Sequence, residues 1–311
     1  MLGSHENISA RVALALVTLT IGLLAVTAGP ANARPTIGIG ENGYAMFSDP
    51  NFQKLGSKIS RKVLPWDFYK YDYQVADLRA WINGAKSQNI EPMIAINHGT
   101  RSLRQLPSLG QYRYTLRSLQ RDFPEVRTLT VWNEANHHTQ PTARNPKRAA
   151  QYFKLARQIC RGCKIVAADV LDQKNMLPWI AQFKKFAGSK ARLWGLHSYA
   201  DSNRKTAWRN TATLKLLNAV KGKLWLTEVG GIVNFGTKFR YNERRAAASV
   251  SRTLSLSRKS RRIQRVYLYT WYGSDRRVVG GRAWDSGLVS ARGEPRRGYS
   301  VLRNWIRRYG A

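Results

Sequence analysis

The chain has 311 residues, 43% of them hydrophobic, and a net charge of +34 from 52 Lys and Arg against 18 Asp and Glu. This length and apolar content suffice for a full core, exclude a disordered chain, and permit one large domain or two small ones. The charge favours anionic neighbours, but no nucleic-acid recognition motif accompanies it, so nucleic acid is not expected as a partner.

Taken in chain order, the first feature is the almost wholly apolar run of residues 12–27, followed by Ala31-Asn32-Ala33. The pattern reads as a secretory signal over residues 1–33 with a mature start at Arg34. The run falls short of the roughly 20 residues a membrane span needs. An uncleaved N-terminal anchor is the alternative, because Glu6 offsets Arg11 before the run. On either reading the remainder is expected outside the cytoplasm, secreted or associated with the cell envelope.

After Arg34 the chain alternates short apolar runs with helical patterns, eight times. The expected strands are 36–40, 58–64, 92–97, 129–133, 164–170, 193–198, 223–227 and 265–271. Several are rich in Val, Ile, Leu and aromatics without strict alternation, as for parallel strands covered on both sides. Helices are expected over 74–88, 109–121, 146–160, 176–186, 212–220, 242–259 and 299–308, with a short helical turn over 49–55. Asn145-Pro146 reads as an N-cap followed by proline at the first helical position. Eight such repeats over residues 34–311 match the (β/α)8 TIM barrel, which typically uses about 250 residues, in a single domain. An open doubly wound sheet would carry a Gly-rich turn leading straight into a helix, and no helix follows Gly38-Ile39-Gly40-Glu41-Asn42-Gly43 immediately.

Cys160 and Cys163 form Cys-Arg-Gly-Cys. In an exported protein the spacing reads as a disulfide staple between a helix end and the next strand, rather than a redox pair. Arg pairs recur at 244–245, 261–262, 276–277, 296–297 and 307–308. They serve either as a solvated basic surface or as an attraction for an anionic glycan or cell envelope.

In a barrel the active site lies at the C-terminal ends of the strands. Reactive side chains gather there. Asn97 and His98 follow the third expected strand, Asn133 and Glu134 the fourth, His197, Ser198 and Tyr199 the sixth, Glu228 the seventh, and Trp271 the eighth. Each of Glu134 and Glu228 follows an apolar run that reads as ending at its carboxylate. A carboxylate at the edge of a core is costly and needs a reason. Two of them facing across a cleft is the arrangement that hydrolyses glycosidic bonds. Alone, either could be a capped structural carboxylate. Tyr44, Phe47, Trp66, Tyr69, Trp208, Trp271 and Trp284 point to an open cleft and endo action, or else partly pack the helix layer. Adjacent His137-His138 and the lack of a helical His-x-x-x-His pair give no expected metal site, and no cofactor motif is found.

Trp132-Asn133-Glu134, Thr227-Glu228, His197-Ser198-Tyr199, Trp271, Gly287-Leu288-Val289 and Gly293-Glu294-Pro295 together resemble clan A of the glycoside hydrolases, the 4/7 superfamily, with similarity to families five and thirty-nine. The resemblance implies a retaining O-glycoside hydrolase acting on β-linked polysaccharide or oligosaccharide. Glu228 would be the nucleophile and Glu134 the acid/base, with the two in different protonation states at the start. It further implies Asn133 on the sugar 2-hydroxyl, Tyr199 or His197 orienting Glu228, Arg61 keeping Glu228 charged, and Trp271 as a stacking floor. His98 would bind substrate or cap its own loop. A monomer is expected. The competing reading is a non-catalytic carbohydrate-binding or envelope-binding protein on the same barrel.

Overall fold

The computed structural model describes residues 34–274 and 284–311. The expected signal segment with its cleavage motif, and the Arg276-Arg277 pair, lie outside the described residues. Strands β1 (Thr36–Gly40), β2 (Ile59–Pro65), β3 (Glu91–Asn97), β4 (Thr128–Thr130), β5 (Lys164–Val166), β6 (Asp169–Leu171), β7 (Leu193–His197), β8 (Lys223–Val229) and β9 (Ile263–Tyr269) form one sheet. Its order is β5-β4-β3-β2-β1-β9-β8-β7-β6. Every neighbouring pair is parallel.

The two edge strands are halves of one expected strand. β5 pairs with β4 and β6 pairs with β7, on either side of Ala167-Ala168. At that joint Ala167 N–H donates to Leu193 O and Gly195 N–H to Ala168 O, both at 2.8 Å. The fifth segment thus bridges the ends of the sheet and nearly closes it into a parallel α/β barrel. The eight expected strands are all present, the fifth of them in two pieces.

Helices α1 (Pro50–Gln53), α2 (Asp72–Ser87), α3 (Leu109–Asp122), α4 (Pro146–Ile159), α5 (Met176–Ala187), α6 (Tyr199–Asn203), α7 (Ala212–Ala219), α8 (Glu243–Ser257) and α9 (Arg297–Tyr309) intervene. Their starts follow local chemistry. Ser108 and Gln111 make a reciprocal capping box on α3, and Asn145 caps α4 ahead of Pro146. The helices cover the sheet through a continuous apolar layer that includes Leu78, Trp81, Leu116, Phe153, Phe183 and Leu254. Among the described residues no helix is long and apolar enough to cross a membrane.

Strand periodicity fills the barrel from within. Ile59, Met93, Val166, Trp225 and Tyr267 make a small inner apolar cluster. Two residues further along β2 and β9 the same inward face carries Arg61 and Tyr269, and β7 ends on His197. The interior therefore changes from apolar to ionic as the strands approach their C-terminal ends.

Cys160 and Cys163 are joined in a disulfide. The arginine pairs are less solvated than the sequence suggests. Arg245 donates to the carbonyls of Ile232 and Val233, and Arg262 to those of Leu217, Val220 and Gly222. Arg296 clamps Asp285 in a bidentate pair at 2.7 and 2.9 Å.

Candidate active site

The two glutamates reach the barrel mouth by different local devices, and neither ends its strand as expected. β4 stops at Thr130, so Glu134 stands four residues beyond it. The chain between is held to the barrel all the same, since Asn133 N–H donates to Ile96 O and Ala135 N–H to Asp169 O. Asn136 completes the bridge by exchanging side-chain amide bonds with Leu171. Between these anchors Glu134 takes φ +47°, the left-handed region that costs an ordinary residue about 1–3 kcal/mol. Glu228 lies inside β8, not after it. Trp225 is level with Gly195 but Glu228 with His197, so β8 carries one extra residue there. This bulge turns both Thr227 and Glu228 inward.

The result is a compact ionic cluster. Arg61, only 1% exposed, donates to Glu228 Oε2 at 2.9 Å, to Asp169 Oδ2 at 3.2 Å and to Asn133 Oδ1. His197, wholly buried, places Nδ1 3.2 Å from Glu134 Oε1 and Nε2 3.3 Å from Asp169 Oδ1. Tyr199 donates its hydroxyl to Glu228 Oε1 at 3.0 Å. One carboxylate oxygen from each of Glu134 and Glu228 and a ring nitrogen of His197 all lie within 4.8 Å of one another. Arg61, Asn133, Glu134, His197, Tyr199 and Glu228 are thus brought together.

Asp169 is the member that sequence reading missed. It accepts from Arg61 and from Thr227 Oγ1, besides facing His197. Its signal was available as a lone carboxylate inside the apolar run Val166-Ala167-Ala168-Asp169-Val170. Buried charge demands a partner of opposite sign, and β2 supplies it. Gly195 makes the room: a Cβ there would stand 2.4 Å from Asp169 Oδ1 and 2.9 Å from Thr227 Oγ1.

The charges order one another. Burial alone would drive His197 toward neutrality, but Glu228 and Asp169, with hydrogen bonds to Asp169 and Glu134, push its pKa up to about 10. Burial works against ionised Asp169 too, and cationic His197 and Arg61 outweigh it, so its pKa is lowered. Glu134 behaves in the same way. Burial raises its pKa, and the hydrogen bond and charge of His197 bring it below the ordinary carboxylate range. These directions favour the proton on His197 rather than on Glu134.

Trp271 does not line the cleft. It is fully buried, packs edge-on against Phe52 and Tyr299, and donates Nε1 to Asp49 Oδ2 at 2.9 Å. The reason is a turn. β9 ends at Tyr269, and the Glu41 carboxylate then gathers Thr270 Oγ1 and the N–H groups of Trp271 and Tyr272. Strand alternation no longer applies at residue 271. Tyr269 takes the position at the mouth instead, half-buried beside Gly40, with its pKa raised by burial and by the charges of Glu228, Glu41 and Glu134. Trp284 stands edge-on to Tyr199 at 4.8 Å. Phe47 and Trp66 belong to the core, whereas Tyr44 is exposed. His98 is half-buried and its Nδ1 faces its own neighbour, Gly99 O, at 3.1 Å.

Glu134, His197 and Glu228 are also the residues whose donor atoms could converge on a metal ion. Both nitrogens of His197 already face carboxylates, and Arg61 already meets Glu228. The cluster already holds two cations of its own against three carboxylates.

Neither a protein-family model nor a curated protein sequence matches this chain. Solved structures do match its fold. A GH5_18 protein from Streptomyces cattleya, in complex with GlcNAc, superposes with a TM-score of 0.67 at 16% identity, over 90% of this chain and 81% of that one. A GH5_18 variant from Bifidobacterium longum subsp. longum, in complex with Manb1-4GlcNAc, gives 0.65 at 14% identity, over 88% and 78%. A GH39 beta-xylosidase from Caulobacter crescentus gives 0.64 at 15% identity, over 90% and 72%. The barrel is therefore similar, at the level of fold, to those of clan A glycoside hydrolases of the GH5_18 and GH39 groups.

Proposed function

We propose that this protein is a retaining glycoside hydrolase of β-linked oligosaccharide or polysaccharide, acting outside the cytoplasm. The observation that carries the reading is the approach of Glu134 and Glu228 to within 4.8 Å at one mouth of the barrel. Retaining enzymes hold their two carboxyls about 5–5.5 Å apart, whereas inverting ones need about 6.5–9.5 Å to admit a water.

In this reading Glu228 attacks the anomeric carbon. Arg61 and Tyr199 fix its two oxygens, so one lone pair is aimed at the sugar. Glu134 first has to become an acid. Two cations and three carboxylates share the cluster, and the proton on His197 Nδ1 is one hydrogen bond from Glu134 Oε1. When a sugar ring displaces water, a neutral pair costs less than an ion pair in the drier site. The proton then crosses to Glu134, and Glu134 passes it to the leaving oxygen as the C–O bond breaks. In the second half Glu134, again anionic, takes a proton from the water that releases the sugar from Glu228. Asn133, oriented by Arg61, is placed to receive a sugar hydroxyl.

An activated 2-fluoroglycoside tests the reading. A covalent sugar on Glu228, found by peptide mass spectrometry, supports it. Sugar binding without any adduct across a panel of such reagents favours a carbohydrate-binding protein on the same barrel.

A further inference from the structure

The end of the barrel remote from Glu134 and Glu228 carries a concavity of about 390 Å³. It opens where β5, β7, β8 and β9 begin. Its charged lining consists of Arg157, Lys164, Lys190, Arg192, Lys223 and Arg265, without one carboxylate. Glu91 nearby engages two of the six, accepting from Arg265 at 2.8 and 2.9 Å and from Lys164 at 3.0 Å. Among the described residues no carboxylate forms an ion pair with the other four.

Several of these groups are held in place. Arg157 Nη1 donates to Lys190 O at 3.2 Å and Arg192 Nε to Ser189 O at 3.0 Å. Arg265 lies over the Trp225 ring at 4.3 Å. Trp225 also lines the cavity and is 3% exposed, and its buried indole N–H has no acceptor. Leu193 and Lys223 are level on adjacent strands, which sets Lys223 beside Arg192. Like charges brought together around a hollow repel, and the arrangement is stabilised when an anion enters.

We propose that this cavity is an anion site for a phosphoryl group, separate from the cleft that holds the glutamates. Four cations without carboxylates call for a polyvalent oxyanion, since a single carboxylate would answer only one of them. Guanidinium groups also match phosphoryl oxygens in geometry as well as charge. The volume far exceeds the roughly 30 Å³ that one water occupies, leaving space for a hydrated di- or triphosphate segment. Held at this end on a phosphate-bearing polymer, the protein would present its glutamate-lined mouth outward.

The test is titration calorimetry of the whole protein with inorganic pyrophosphate at fixed ionic strength. Lys190→Glu/Lys223→Glu is compared with Arg113→Glu/Arg117→Glu, which makes the same charge change at exposed positions on α3. Loss of at least tenfold in Kd for the first variant and less than twofold for the second is the expected result. Equal losses would assign binding to the overall field and overturn the site, as would the absence of binding by the unaltered protein. Should the reversed-charge variant not fold, Lys190→Gln/Lys223→Gln against Arg113→Gln/Arg117→Gln decides by the same criterion. Polyphosphate binding tenfold tighter per chain than pyrophosphate identifies a polymer as the source, and equal affinity a free anion. Turnover of a small aryl glycoside is expected to be unchanged in every variant, so this result and the glycosidase reading stand or fall separately.

Discussion

His197 Nδ1 lies 3.2 Å from Glu134 Oε1, and its hydrogen bond and charge hold that carboxyl below the ordinary range against burial. His197 is raised to about 10 from an ordinary value of 6.5, so its charge is a folded-state property. A raised basic group stabilises the fold fully below its unfolded pKa and loses that contribution as pH rises through the folded one. The melting temperature should therefore fall between about pH 7 and pH 10 in the unaltered protein. His197→Asn should melt lower at pH 6 and show a flatter decline. The same slope in both proteins would remove His197 as its cause. Kinetics supply a second readout. With His197 gone, burial dominates Glu134 and raises its pKa, so the acidic limb of turnover on an activated glycoside should move to higher pH.

The two glutamates should fail differently. Glu228→Gln should abolish turnover on every substrate while leaving the fold intact by circular dichroism. Glu134→Ala should cost about 100- to 10,000-fold on glycosides with poor leaving groups, the usual range for a lost general acid. On a dinitrophenyl glycoside, whose departure needs no proton, the loss in the first step should be small. Equal losses across leaving groups would contradict the assignment of Glu134.

Much of this site is legible in residue order, and its departures have physical causes. Alternation of apolar runs and helices locates every strand, because a parallel strand covered on both faces must be apolar throughout. Asn133-Glu134 and Glu228 stand out because carboxylates at strand ends are conspicuous. The φ of Glu134 and the bulge that turns Glu228 inward are invisible in the sequence, since both depend on pairing with neighbouring strands. Asp169 is hidden because its partners Arg61 and Thr227 are 108 and 58 residues away. Trp271 misleads because alternation carries Tyr269 and Trp271 to one face only while the strand lasts, and Glu41 ends it between them.

That displacement gives a paired expectation. Tyr269→Ala removes an aromatic face at the mouth and should raise KM several-fold with little change in melting temperature. Trp271→Phe leaves the Asp49 acceptor without its indole donor and should cost about 1–3 kcal/mol of stability. Its KM should stay near the original. Denaturant unfolding and steady-state kinetics on both variants check the contrast. A large KM effect from Trp271→Phe without loss of stability would return Trp271 to the cleft.

Asp172, just past β6, offers a test of opposite sign to the paired carboxylates. Burial, reinforced by the charge of Asp201 and only partly offset by the Ala200 N–H bond, raises it from 3.8 to about 7. A raised carboxyl stabilises the fold fully below its unfolded pKa, and that contribution is lost as pH climbs through the folded one. Ionisation of Asp172 should therefore weaken the protein between about pH 4 and pH 7. Asp172→Asn keeps an oxygen for Ala200 and cannot ionise. It should melt close to the original at pH 4 and several degrees higher at pH 8, by differential scanning fluorimetry across that range. A gap that stays constant with pH would mean that Asp172 is already charged in the folded state at pH 4. The environment between β6 and α6 would then be wetter than its packing implies.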